Sequence, residues 1–117
     1  MSFPRTPPRR GEVWLAQFDP VLGHEQGGIR PAVIVSVDSF NTGSSRMAAV
    51  IPLTTRDRGS PSHVRVSPPE GGLERPSLIL CEHVRSVTQL RLRHRLGIVK
   101  PETMYQVEEI IRGLLHL

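Results

Sequence analysis

The sequence predicts a mainly β protein of the α+β class, a small and strongly curved barrel with one helix at its C-terminus. Two observations support this prediction. Several short apolar runs are separated by glycine, proline and polar turn residues, which is typical of a small barrel. A helical pattern occurs near the end of the chain, and the 117 residues contain no internal repeat, so the length indicates one domain.

The predicted strands are short runs of apolar and β-branched residues. They span 12–18, 32–37, 47–53, 63–67, a kinked fifth run of 77–82 and 84–87, and a weak sixth of 96–99. Pro52 falls near the end of the third run, where proline is tolerated. Polar, turn-forming segments separate the strands at 38–46, 54–62 and 68–76, and 88–93 is predicted to form a short helical turn.

The C-terminal segment has the clearest helical pattern. Pro101 suits the first helical position, and Glu102 suits the first turn, where the helix dipole favours an anion. An apolar stripe follows at helical spacing. Its members are Met104, Val107, Ile110, Ile111, Leu114, Leu115 and Leu117. We expect this stripe to pack against the barrel, and any surplus apolar width to support dimerisation.

Residues 1–10 contain three prolines, three arginines and one aromatic residue, which predicts a flexible basic tail before a single barrel domain at 11–117. The chain shows neither a signal-peptide pattern nor an apolar run of membrane-spanning length. We therefore expect a cytoplasmic protein with no membrane partner.

The composition favours a polyanionic partner. The formal net charge is +4, and Lys100 is the only lysine among 15 basic residues. Arginine is the better residue for bidentate contact with phosphate. Few aromatic residues are present, which argues against a surface built mainly on base stacking. The single cysteine, Cys81, excludes an internal disulfide and a multi-cysteine zinc site, and no histidine spacing suggests a metal or cofactor.

Residues 19–31 form a polar, glycine-rich loop between two predicted strands. The loop carries His24, Glu25 and Gln26 and ends at Arg30, which Pro31 restricts to an extended conformation. Acid–base groups beside a fixed guanidinium suit a phosphate ligand.

Several motifs in this order and spacing resemble the MazF/PemK-type toxin family. They are Arg10-Gly11-Glu12-Val13-Trp14, Phe18-Asp19-Pro20, Gly23-His24-Glu25-Gln26, Arg30-Pro31-Ala32-Val33-Ile34-Val35-Ser36, Val50-Ile51-Pro52-Leu53-Thr54-Thr55 and Leu80-Cys81-Glu82-His83-Val84-Arg85-Ser86-Val87. The resemblance extends from about Arg10 to the C-terminus.

This resemblance implies an SH3-like barrel of about six to seven strands, acting as a homodimer. It further implies a metal-independent endoribonuclease that cleaves single-stranded RNA at short sequences and inhibits translation. The implied partner is a MazE-like antitoxin whose acidic, disordered segment occupies the RNA groove.

Such cleavage needs a base for the 2′-hydroxyl, a cation for the phosphorane and an acid for the departing 5′-oxygen. Given the resemblance, Arg30 is the candidate cation, and the Thr54 hydroxyl is expected to contact the phosphate or the 2′-hydroxyl. His24 is the candidate general acid or base. The alternatives are a surface ion pair for Arg30, a strand-end residue for Thr54 and an idle loop histidine for His24.

Glu82 lies where the family carries an acidic residue. It would accept a hydrogen bond from a base edge, orient Arg30, or form an ordinary surface ion pair. His83 is either a base contact or a packed polar residue. Some relatives have an arginine with a proton-transfer role at the position of Leu80. Either His24 therefore carries more of the chemistry, or Arg30 and Thr54 suffice, or the enzyme is weakened.

The other predicted RNA contacts flank these residues. They are Glu25, Gln26, Thr55, Arg56, Arg58 and Arg85. Arg65 is either beside the same RNA path or on a solvated face. The cluster of Arg91, Arg93 and Arg95 would bind either the RNA backbone or the antitoxin.

Two other functions remain open. A gyrase-poisoning toxin of the same barrel class would act through protein contacts. A non-catalytic SH3-like module would bind nucleic acid or protein without cleaving RNA.

Overall fold

A computed structural model describes residues 2–19 and 22–117. Pro20, which belongs to one of the motifs above, lies outside these residues, as do Val21 and Met1 of the predicted tail. Seven strands and a C-terminal helix confirm the predicted fold class. The strands are β1 (Glu12–Gln17), β2 (Ile29–Ile34), β3 (Met47–Thr54), β4 (His63–Val66), β5 (Ser77–Leu80), β6 (Arg85–Thr88) and β7 (Leu92–Ile98).

The helical elements are few and mostly short. They are α1 (Asp38–Asn41), α2 (Pro101–Leu115) and single 3₁₀ turns at Glu70–Gly72, Cys81–His83 and Gln89–Arg91. In the described parts of the chain, no helix has the length and apolar character needed to span a membrane.

All strand pairs are antiparallel, in the order β4-β5-β3-β2-β1-β7, with β6 also on β3. The central strand β3 therefore has β2 on one edge and both β5 and β6 along the other. Two register shifts between β1 and β7 bend the sheet. Within the described ranges β4 and β7 do not pair, so the barrel-like sheet is open at that seam.

Four elements differ from the sequence prediction. Strand β7 begins at Leu92 rather than at residue 96, because its first half already pairs with β1, and the helical turn predicted at 88–93 is limited to Gln89–Arg91. Strand β2 spans Ile29–Ile34 rather than 32–37, because the ladder with β1 already begins at Ile29. The turn predicted at 38–46 contains α1, and the fifth run is two strands separated by the Cys81–His83 turn. This turn moves Glu82 and His83 out of the ladder.

The central strands are buried on both faces. Val13, Val33 and Ile51 share one core with Met104 and Val107 of α2. Residues of alternate parity share the second core, because successive side chains on a strand point to opposite faces. That core comprises Trp14, Ala16, Phe18, Ala32, Ile34, Ala48, Val50, Val87 and Leu92.

The apolar stripe of α2 divides along its length. Met104 and Val107 are buried, whereas Leu114, Leu115 and Leu117 are 51%, 58% and 80% exposed. Packing against the barrel therefore accounts for the first half of the stripe only.

Contacts with the barrel begin inside the predicted tail. Pro8 is buried, and the Arg9 and Arg10 backbone N–H groups donate to Glu12 and Asp38. The Arg10 guanidinium bonds the Val35 carbonyl and the carboxylate of Glu108 on α2. The flexibility and the boundary of the tail stay predictions.

The crossing of the Glu70–Gly72 turn over β7 depends on glycine. A Cβ at Gly72 would lie 2.0 Å from the Leu96 carbonyl oxygen, and φ is +70°. We expect Gly72→Ala to lower the free energy of unfolding by more than about 2 kcal/mol. Gly59 has a φ of +69° but open space around it, so Gly59→Ala should cost about 1 kcal/mol. Urea unfolding checks both variants, and equal losses would contradict a steric constraint at Gly72.

Candidate functional site

A polar cleft opens where β2 and β3 meet the two loops that flank them. Its volume is about 410 Å³. The three residues predicted to be catalytic, His24, Arg30 and Thr54, all line it. The other lining residues are Gln26, Arg56, Arg58, His63, Leu80, Glu82 and His83.

The ladder between β2 and β3 explains why Arg30 and Thr54 meet. The ladder ends where Ala32 pairs with Pro52, and the same register extended by two residues along each strand brings Arg30 towards Thr54 on one face of the sheet. The Arg30 guanidinium is held by two backbone carbonyls, with Nε donating to Gly27 at 3.0 Å and Nη1 to Leu53 at 3.4 Å. Arg30 is thus positioned without neutralisation of its charge.

The Thr54 hydroxyl lies at the end of β3. Its Oγ1 accepts a hydrogen bond from the Arg56 backbone N–H at 3.2 Å. This contact fixes the oxygen and leaves the hydroxyl proton free to be donated into the cleft.

The loop between β1 and β2 supplies His24 and Gln26. Its backbone turns at Gly23 and Gly28, where φ is +63° and +75°. The carboxylate of Glu25 accepts from the Leu22 backbone N–H at 3.0 Å and so stabilises the loop itself.

A second hollow of about 190 Å³ adjoins the cleft. Gln26, Glu82 and His83 line both, while Glu25 and Arg85 line only the second. The two hollows therefore form one continuous groove, called the polar groove below. It brings together every predicted RNA contact except Thr55.

Thr55 lies on the other side of the sheet, in a hollow with Leu15, Pro31 and Leu96. The reason is the alternation of side chains at the end of β3, which sends Thr54 and Thr55 in opposite directions. The structure therefore does not bring Thr55 to the other predicted site residues.

Glu82 is the one carboxylate among the residues that line the first cleft. Its Oε1 accepts from Ser62 Oγ at 3.0 Å, and its Oε2 accepts from His63 Nε2 at 2.9 Å. It makes no hydrogen bond to Arg30 within the described chain, so the structure does not support a role in orienting that residue. Partial burial acts to raise the pKa of Glu82, but hydrogen bonds from His63, its own backbone N–H and Ser62 outweigh it and lower the net pKa.

Sequence reasoning missed His63. The residue begins β4, opposite Leu80 of β5, and this pairing brings its ring beside Glu82. A histidine at the start of a predicted strand gives no signal of its own, because the β4–β5 register is needed to place it.

The polar groove is strongly cationic. The guanidinium groups of Arg30, Arg56 and Arg58 form no ion pair with any described carboxylate. Arg65, by contrast, pairs with Asp57 at 2.6 Å. Arg85 in the second hollow also forms no ion pair with a described carboxylate, so an anionic ligand would meet four uncompensated charges in the polar groove.

The cluster of Arg91, Arg93 and Arg95 is occupied by contacts within the chain. Arg91 bonds the Gln17 carbonyl at 3.1 Å, Arg93 bonds the Gln17 side chain, and Arg95 pairs with Glu12 at 2.7 Å. These arginines brace β7 against β1 and its loop.

Cys81 is buried in the first core, and burial together with the nearby Glu82 charge raises its pKa to about 12. Its thiol is therefore expected to be unreactive in the folded protein. Residues 2–19 and 22–117 contain no group of three or more histidine, cysteine or acidic side chains placed to hold a metal.

Comparison with known proteins identifies the family. Residues 9–115 match the family described as PemK-like, MazF-like toxin of type II toxin-antitoxin system. The chain belongs to this family. The resemblance seen in the sequence is confirmed over nearly the whole chain.

Individual relatives of this toxin family agree. The chain is 34% identical over 110 residues to endoribonuclease EndoA of Bacillus subtilis strain 168, covering 93% of this chain and 95% of EndoA. The crystal structure of MazF (Form-I) from Deinococcus radiodurans is similar with a TM-score of 0.86 and 28% identity, over 96% of this chain and 99% of that one. A mycobacterial endoribonuclease in complex with its cognate antitoxin gives a TM-score of 0.75 and 26% identity, over 94% and 96% of the chains.

The hydrogen bonds to Glu82 predict a pH dependence of stability. Because its pKa is lowered in the folded state, the stabilisation is present above the ordinary carboxyl value of about 4.3 and disappears as the pH falls through the folded value. Urea unfolding should show wild type more stable than Glu82→Gln at pH 7, with the difference shrinking towards pH 3. Glu74→Gln controls for loss of a surface carboxylate, and a pH-independent difference for Glu82→Gln would contradict the prediction.

Proposed function

We propose that this protein is the toxin of a type II toxin–antitoxin pair and acts as a metal-independent endoribonuclease on single-stranded RNA, inhibiting translation. The observation that carries the proposal is the convergence of an unpaired guanidinium, Arg30, and a strand-end hydroxyl, Thr54, in one cationic groove. Family membership and the endoribonuclease relative from Bacillus subtilis support the same activity.

The reaction needs no group beyond the RNA and these side chains. The ribose 2′-oxygen attacks the adjacent phosphorus, the bond from phosphorus to the 5′-oxygen breaks, and the products are a 2′,3′-cyclic phosphate and a 5′-hydroxyl. Negative charge grows on the phosphoryl oxygens in the transition state. Arg30 stabilises this charge, because its guanidinium stays protonated and is already oriented by two carbonyls.

The Thr54 hydroxyl donates to the same phosphate, since its oxygen is already fixed by the Arg56 backbone. His24 transfers a proton to the departing 5′-oxygen or takes one from the 2′-hydroxyl. Leu80 also lines the cleft and has no proton to exchange, so the acid–base work falls to His24 and the polar groups around it.

The polar groove gives the RNA a path. Arg56, Arg58 and Arg85 attract the phosphates on either side of the scissile one. Gln26, Glu82 and His83 line both hollows and would contact bases there. The same charge suits an acidic antitoxin segment, which would block the groove by occupying it.

We propose a homodimer that works in the cytoplasm, where mRNA is available. The exposed side chains of Leu114, Leu115 and Leu117 support self-association, because the barrel leaves this part of the α2 stripe uncovered.

Arg30→Ala should lower the rate of RNA cleavage by about 100-fold or more, because transition-state charge is left without its cation. Arg75→Ala, on the opposite side of the sheet, is the matched control and should cleave normally. The measurement is cleavage of a long RNA in EDTA with mapping of 5′-hydroxyl ends. Full activity of Arg30→Ala would remove it from the mechanism, and absence of cutting by wild type would favour a gyrase-directed or binding-only protein.

Thr54→Val replaces the hydroxyl with a methyl group of similar size. We expect a loss of about 10- to 100-fold in kcat/KM, the value of a hydrogen bond to a charged group. Thr55→Val is the neighbouring control on the other face and should leave cleavage unchanged. If both variants lose the same activity, the assignment to Thr54 fails.

A further inference from the structure

The His63 ring is nearly enclosed at the edge of the polar groove. Its side chain is only 5% exposed. Nε2 lies 2.9 Å from Glu82 Oε2, while Nδ1 is buried and has no hydrogen-bond partner in the described chain. A buried ring with one committed nitrogen and one unpartnered nitrogen needs an explanation.

The geometry fixes where the ring proton lies. An ionised carboxylate only accepts hydrogen bonds, so the contact with Glu82 requires the proton to be on Nε2. A proton on Nδ1 would be buried with no acceptor, which is unfavourable. The Glu82 contact at Nε2 and the lack of an acceptor near Nδ1 in the described chain therefore both favour the tautomer with its proton on Nε2.

This arrangement excludes His63 from proton transfer to RNA. Its groove-side nitrogen is engaged by Glu82, and its other nitrogen is out of reach inside the protein. The ring can act on the substrate only through Glu82.

His63 and Ser62 together orient the Glu82 carboxylate. Each binds a different oxygen, which fixes the rotation of the carboxylate plane. Glu82 still has a 38% exposed side chain and lines both hollows, so its remaining lone pairs face the groove. At this point the polar groove therefore contains a hydrogen-bond acceptor of fixed orientation, the Glu82 carboxylate.

We propose that His63 is a positioning residue that holds Glu82 as an acceptor for a nucleobase amino group, so that one position of the RNA is read as cytosine, adenine or guanine in preference to uracil. Uracil lacks an exocyclic amino group, and its one Watson–Crick donor, N3–H, lies between two carbonyl oxygens that the carboxylate repels. This inference rests on the proposed ribonuclease function.

The test compares variants that differ only in the donor to Glu82. His63→Gln keeps an N–H donor of similar reach, whereas His63→Phe fills the space without a donor. Mapping of 5′-hydroxyl ends on a long RNA gives the base preference at each position of the cut motif. His94→Phe, which lies in the hollow on the opposite side of the sheet, is the control.

We expect His63→Phe to reduce the preference against uracil at one motif position by about 10-fold or more, with KM affected more than kcat. Glu82→Gln should relax the same position, and His63→Phe should add nothing to it. His63→Gln should retain the motif. Retention of full preference by His63→Phe, or relaxation at a different position from Glu82→Gln, would overturn the proposal.

A second measurement does not depend on cleavage. The ¹⁵N chemical shifts of the His63 ring should show the proton on Nε2 in wild type and a changed ring environment in Glu82→Gln. A proton on Nδ1 would overturn the inference even if RNA is cut. Failure of wild type to cut RNA would instead refute the proposed function. The ¹⁵N shifts would still test the His63–Glu82 contact in that case.

Discussion

The pairing of β2 with β3 is the constraint on which the site depends. Its register places Ala32 opposite Pro52, and the same register continued by two residues places Arg30 opposite Thr54. A shift of β2 by one residue would turn Arg30 away from Thr54 and move the buried residues of β2 to the wrong core. Because both faces of β2 and β3 are packed, with Val33 and Ile51 in one core and Ala32 and Val50 in the other, that shift is strongly disfavoured. The site inherits its geometry from the core beneath it.

The other edge of β3 positions Glu82 and His83, because strand pairing is interrupted there between β5 and β6. β5 and β6 both pair with β3, but the Cys81–His83 turn between them leaves the ladder. Cys81 is turned into the core and Glu82 into the groove, where Ser62 and His63 meet it. The Cys81–His83 turn therefore places one residue in the hydrophobic core and the next, Glu82, in the first cleft.

Within the described residues, the carboxylates near the polar groove do not neutralise its arginines. Glu82 bonds Ser62 and His63, and Asp57 pairs with Arg65, so among the described residues Arg30, Arg56, Arg58 and Arg85 have no carboxylate partner. Among the arginines of β7 and the preceding turn, Arg95 pairs with Glu12, whereas Arg91 and Arg93 bond uncharged oxygens of Gln17. The net charge of the chain therefore says less about RNA attraction than the distribution of unpaired guanidinium groups does.

The sequence alone determined the strand-rich class, the C-terminal helix and the order of the motifs, because these follow from local apolar patterns and turn residues. It also singled out Arg30, Thr54, His24 and Glu82, since each lies in a motif with a recognisable spacing. Tertiary structure decided the contacts between distant segments: His63 beside Glu82, Thr55 on the far face, and the arginines of β7 bonded within the chain. Those outcomes depend on strand register and on which face each side chain takes, and neither is encoded in the composition of a single segment.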